Sequence, residues 1–268
     1  MEKISAEKTI RSLVRTAVET YAMTFSERHI RELSDPDGTI NMKIHNVFIS
    51  ALGEEIQYYT ALVRSLDSSL GNMLEGLAIN IAKLFYEVEK KVEGPLSIEQ
   101  TQKIAEILEQ YKRHIKKPEV GDYQILRNKP LKKNVTSKRH ESDYYLIDKK
   151  NGAHFLIELK IGGDLDNKKA RSEKEALLEQ FTILSNTLPA ETKIRCLFAT
   201  AYNRFGEGKE WKQERVKQFF GPDELLIGRD FWNFICMSPE GYGIILDEYK
   251  KNAHLITSAL QKIKEAYL

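Results

Sequence analysis

The sequence predicts an α/β protein: a central mixed sheet flanked by helices, with a large helical portion ahead of it. Three observations carry this. Apolar residues up to about 117 recur every three to four positions. Residues 143–200 switch to short aromatic and β-branched runs. From about Asp247 to Leu268 the helical period returns. The chain reads as one domain, 1–268. It has a mainly helical part over 1–117 that includes the first core helix, an α/β core over 118–235, and a helical part over 236–268.

The elements follow in order. Leu70, Leu74, Leu77, Ile81 and Leu84 mark one buried helix face, and Ile98 to Leu108 repeats the pattern more briefly. Asp143–Asp148 and Ala153–Lys160 are strand-like, and the Asn151-Gly152 pair between them is a hairpin signal. A helix is expected over roughly Lys168 to Ser185, with Ser172 and Glu175 resembling a capping box and Leu177, Leu178, Phe181 and Leu184 as its apolar face. Lys193–Thr200 is a third strand. Phe231 and Trp232 are expected in the core.

Composition narrows the function classes. The 268 residues are 41% hydrophobic and 30% charged, and no apolar run reaches the ~18–20 residues of a spanning helix. The first eight residues lack the apolar stretch of a signal peptide. Two cysteines, Cys196 and Cys236, build neither a disulfide scaffold nor a four-cysteine zinc site. A soluble, intracellular chain with reduced thiols and no membrane partner is expected. The net charge of +2 is uninformative, but ten Lys or Arg against two acids lie between Tyr111 and His140. Such a run either neutralises phosphates or is a solvated, mobile loop. His114, His140 and His154 form no zinc or triad pattern.

The chemistry concentrates at the hairpin. Glu158 and Lys160 project to the same side of their strand. A two-residue loop at Asn151-Gly152 sets Asp143 opposite Lys160. A four-residue loop, Lys149 to Gly152, sets it opposite Glu158. Either brings Asp143, Glu158 and Lys160 to one face. Two carboxylates and an ammonium at a strand end suit a hard cation such as Mg²⁺, with the lysine orienting water or sharing its proton. That arrangement fits phosphodiester hydrolysis. The bare acidic-x-Lys pattern recurs elsewhere, at Glu89, Asp148, Asp166, Glu191, Glu207, Glu210 and Glu248. Only the copy at Glu158 ends a hydrophobic strand with a carboxylate upstream across a hairpin. The plainer alternative is an edge strand with an exposed salt-bridged pair.

Asp143 followed by Glu158-Leu159-Lys160 resembles the PD-(D/E)xK nuclease motif, with Ser142 in place of the usual proline. The stretch from Glu158 to Gln180, within a likeness that extends from the Glu75 helix to about Trp232 and is sharpest over Asp143 to Asn186, resembles type II restriction endonucleases of the TdeIII family. The resemblance implies a restriction-endonuclease-like fold in the cytoplasm of a bacterial or archaeal cell. It also implies a Mg²⁺-dependent enzyme cutting double-stranded DNA at a short palindrome of the GGNCC kind, leaving 5′-phosphate and 3′-hydroxyl ends. Carried over by residue, Asp143 and Glu158 are the metal-binding acids, Lys160 is the catalytic lysine, and Leu159 lends its carbonyl to the metal. Glu75 is the candidate for an acid from the first core helix, with Glu54 and Glu55 as rivals. A homodimer matches a palindrome, and a cognate DNA methyltransferase is the functional partner. The rivals are a repair or structure-specific nuclease on the same core, and a non-catalytic DNA-binding module.

Two further segments are candidates for DNA contact. Gly162-Gly163 permits a tight turn into Asp164, Asp166, Lys168 and Lys169. There the lysines can meet phosphates, an aspartate can add a metal ligand, or the turn is simply a polar helix cap. The loop Tyr202–Trp211 offers Asn203, Arg204 and Lys209. Arg suits guanine and Asn suits adenine, although contacts confined to phosphates read equally well from the sequence.

Overall fold

The computed structural model describes residues 3–129, 131 and 135–268, with the side chains of Lys3, Ser142 and Asp143 outside the description. In chain order the helices and strands are α1 (Lys3–Arg31), α2 (Val47–Ser50), α3 (Glu54–Ala82), β1 (Tyr86–Ser97), α4 (Ile98–Lys112), α5 (Val120–Arg127), β2 (Val135–Asp148), β3 (His154–Leu159), α6 (Asn167–Thr187), β4 (Ile194–Thr200), α7 (Glu214–Lys217), β5 (Leu225–Ile227), α8 (Arg229–Ile235) and α9 (Gly241–Tyr267). Among the described residues no helix is long and apolar enough to cross a membrane.

The chain divides into two compact units, residues 1–81 with 243–268, and residues 82–242. The first is helical. Val18, Tyr21 and Phe25 of α1, Tyr58 and Leu62 of α3, and Ile256 and Ile263 of α9 share one buried cluster, because each helix presents apolar residues at spacings of three and four. Arg11 and Arg15 of α1 reach Glu248 of α9 at 3.4 and 3.1 Å.

The second unit is the mixed α/β core. Its strands form a five-stranded sheet in the order β1-β2-β3-β4-β5. The first three strands are antiparallel, and β4 and β5 are added in parallel. Period-two alternation sorts the side chains onto two faces. Leu156, Cys196 and Phe198 meet the apolar stripe of α6, Leu177, Leu178 and Phe181, together with Ile104 and Leu108 of α4. On the other face Phe155 packs edge-on against Tyr86 and Phe234, and Tyr144 against Phe231. Phe231 and Trp232 are buried, as expected.

Several expectations are corrected. Residues 86–97 form a strand inside the region read as helical. Its alternation, Tyr86, Val88, Val92 and Leu96, is interrupted by charges and by a register shift between Glu89 and Lys91. The hairpin takes the four-residue loop rather than the two-residue turn: Asp148 N donates to Ala153 O and Gly152 N to Asp148 O, with Gly152 at φ +68°. The cap of α6 is Asp166, whose Oδ1 accepts from Lys169 N at 2.8 Å, and Ser172 lies inside the helix. The basic stretch is not a free loop throughout. Lys116 is paired with Asp122, Arg127 donates to the Ala190 and Thr192 carbonyls, and Lys138 and His140 hold Glu179 of α6. Lys132 and Lys133 lie outside the described residues.

Candidate active site

The site is assembled where β3 ends under the first turns of α6. A buried apolar strand, His154–Leu159, runs between β2 and β4 and delivers Glu158 and then Lys160 to the α6 side, two residues apart as alternation requires. Lys160 N closes onto Ala199 O. The chain then turns through Gly162 and Gly163. Gly163 has φ +66°, and a Cβ there would stand 2.7 Å from Thr200 Cγ2, so a side chain is excluded both by conformation and by space. Asp166 caps α6, and about two turns later Glu173 points back at the strand end.

The result is a three-residue ionic cluster. Lys160 Nζ lies 2.5 Å from Glu158 Oε1 and 3.2 Å from Glu173 Oε1. Burial works against the lysine's charge, but the hydrogen bond and charge of Glu158, and then those of Glu173, outweigh it and hold the ammonium above its ordinary range. One cation therefore balances two carboxylates that would otherwise repel in a partly buried place.

Asp143 belongs to β2, and its side chain lies outside the described residues. Its backbone position is informative. Tyr144 pairs with Ile157, so the register continued by one residue brings position 143 opposite Glu158. The β1–β2 ladder shifts here, since Glu89 pairs with Tyr145 and Lys91 with Glu141. Residues 142–144 thus stand against Lys90 alone. Tyr145 packs on the α6 face and so do Lys138 and His140, through Glu179. The alternation of β2 therefore changes parity between His140 and Tyr145. Irregularities of this kind bend a strand and re-aim its side chains, and they concentrate beside active sites.

The remaining candidates scatter. Leu159 ends β3 with its side chain in the core. Glu75 is half-buried on α3, in the first unit. Lys168 and Lys169 are exposed in the first turn of α6. Arg204 Nη1 is paired with Asp164 Oδ2 at 2.8 Å, and that hydrogen bond holds the Asp164 carboxyl below the usual range. Asn203 braces its own loop: its Nδ2 donates to Lys209 O at 2.7 Å, and its Oδ1 accepts from Phe205 N at 3.0 Å. Lys209 itself is exposed. Asp166 is the helix cap.

Glu173 went unnoticed in the sequence. Its signal was present: Glu173 and Lys174 continue the stripe of Leu177, Leu178 and Phe181 by one turn, so two charges fall on a sheet-facing helix surface. Lys174 is 1% exposed. It lies against the Glu224 carboxylate and 2.9 Å from Tyr123 Oη, over the Tyr123 and Phe220 rings. That buried pair fixes α6, and with it Glu173.

Among the described residues no three of His, Cys, Asp and Glu stand together as a metal site; the Asp143 carboxylate is not among them. Glu158 and Glu173 both lie against the Lys160 ammonium, and carboxylate oxygens such as that of Glu158 are the donor type a hard divalent cation takes.

Compared with known proteins, the chain matches one family model, described as "HinfI: Type II restriction endonuclease, HinfI", over residues 6–253. No curated protein and no solved structure matches it. The match bears out a type II restriction endonuclease; it is to the HinfI family, and the finer likeness to the TdeIII family is not confirmed by it.

Proposed function

The chain belongs to the HinfI family of type II restriction endonucleases, and from that membership and the cluster at the end of β3 we propose that it cuts both strands of DNA at a short palindrome in a Mg²⁺-dependent reaction. Membership makes it a site-specific deoxyribonuclease, and enzymes of this kind generally use a divalent metal. One observation carries the assignment of residues: Glu158 and Lys160 leave a buried central strand on the same side and in contact, on the sheet face covered by α6.

Asp143 and Glu158 would hold Mg²⁺, with the Leu159 carbonyl as a further oxygen. When bound, the ion lowers the pKa of a water and offsets charge building on the phosphate. Lys160 orients the attacking water and presents its ammonium to the scissile phosphate. Glu173 keeps that ammonium over the strand end. Lys168 and Lys169, together with the Asn203, Arg204 and Lys209 loop, meet the duplex. Residues 1–268 act as one nuclease, in the cytoplasm, as a homodimer, with a methyltransferase protecting the host's sites.

Digestion of mapped plasmid DNA with Mg²⁺ and with EDTA, followed by sequencing of the ends, tests this. Discrete fragments from one palindrome, with 5′-phosphate and 3′-hydroxyl ends and only with Mg²⁺, are expected. A GGNCC-type site would side with the TdeIII likeness, and another palindrome would set that finer assignment aside. Cutting that follows junctions or lesions instead of sequence would favour a repair nuclease.

A further inference from the structure

We propose that the segment joining α1 to α3 is the surface through which two copies of this chain pair. Within residues 42–56, Met42, Ile44, Val47, Phe48, Leu52 and Ile56 are all exposed, Phe48 by 84%. Single exposed apolar residues are ordinary, but six large ones in fifteen positions are not.

The segment is a platform and not a loose loop. Asn41 Nδ2 donates to the carbonyls of Glu32, Leu33 and Asp35, at 3.1, 3.0 and 2.7 Å. Asn46 Oδ1 caps α2, accepting from Phe48 N and Ile49 N. Ile40 is buried in the cluster with Tyr58 and anchors the segment from below. The backbone is thus fixed in a way that holds apolar side chains outward, a placement that only a partner makes favourable.

Size and charge point to a second copy. The six side chains expose on the order of 600 Å² per chain, so two copies face to face approach the roughly 1,200–2,000 Å² of a specific, stable interface. The segment carries Lys43 together with Glu54 and Glu55, so a two-fold pairing can set the lysine of one copy against the glutamates of the other. One lysine against two glutamates does not suit a phosphate backbone or an anionic membrane. The inference rests on the proposed function in one respect: two copies supply two sites for the two strands of a palindrome.

The full chain is measured by sedimentation equilibrium at micromolar concentration, alongside Phe48→Asp and Val47→Asp. Cys196 and Cys236 are both buried and free, so Phe48→Cys, treated with a short bis-maleimide, supplies a second reading. A wild-type dimer, an association weakened at least 100-fold in either charged variant with far-ultraviolet dichroism unchanged, and a covalent dimer of Phe48→Cys but not of Lys150→Cys are expected. On a one-site plasmid the charged variants accumulate nicked circles where the wild type gives linear product. A monomeric wild type, or a dimer that both charged variants leave intact, overturns the proposal. Dissociation by the variants in a protein that cuts no DNA would uphold this surface and refute the nuclease reading.

Discussion

At the scale of single residues, one ammonium serves two carboxylates. Lys160 is held by Glu158 and Glu173 at once, so Glu173→Gln removes one anchor without touching the strand. We expect it to lower single-turnover cleavage about 10- to 100-fold, the usual effect of losing a supporting contact behind a reactive group, with DNA affinity unchanged. Lys168 and Lys169 stand exposed in the first turn of α6. If they meet phosphates, replacing both by Ala reduces the slope of log affinity against log salt by about 2 and weakens binding to all sequences alike; an unchanged slope removes them from the interface. Glu158 and Lys160 were legible in the sequence because strand alternation is rigid arithmetic. Glu173 was not, because its partner is thirteen residues away across a turn whose direction only the folded chain supplies.

At the scale of elements, α6 is fixed by a buried ion pair. Removing Lys174 leaves the Glu224 carboxylate and the Tyr123 hydroxyl buried without their cation. Lys174→Ala should cost about 3–5 kcal/mol in denaturant unfolding, whereas the double change Lys174→Met with Glu224→Leu should cost much less. In the first unit, burial of Glu248 is outweighed by its hydrogen bonds and charge interactions with Arg15 and Arg11, so its carboxyl is held below the ordinary range. A depressed folded pKa stabilises above the unfolded value and is lost as pH falls through the folded one. The melting temperature should therefore drop below about pH 4.5, and Glu248→Gln should flatten that limb. The helices α3, α4 and α6 and the strands β3 and β4 were readable from apolar period. β1 escaped because its four apolar residues are diluted by Glu and Lys and its ladder shifts register at Glu89. β5, three residues long, is a strand only because β4 pairs with it. The hairpin loop is set by the register, and Asn151-Gly152 by itself admits two lengths.

At the scale of the whole molecule, the family match spans residues 6–253 and so draws on both units. Fold class and reaction type were within reach of the sequence because the motif sits where a central strand ends. The partner surface was not, because exposed apolar residues in a short irregular segment carry no period. If Lys160, beside Glu158, acts on the scissile phosphate, the decisive measurement is the single-turnover cleavage rate of Lys160→Ala on a cognate duplex with Mg²⁺, with duplex affinity measured separately in EDTA. The expected rate is lower by about 10² or more at unchanged affinity. A rate equal to that of the wild type, on DNA bound equally well, would contradict it.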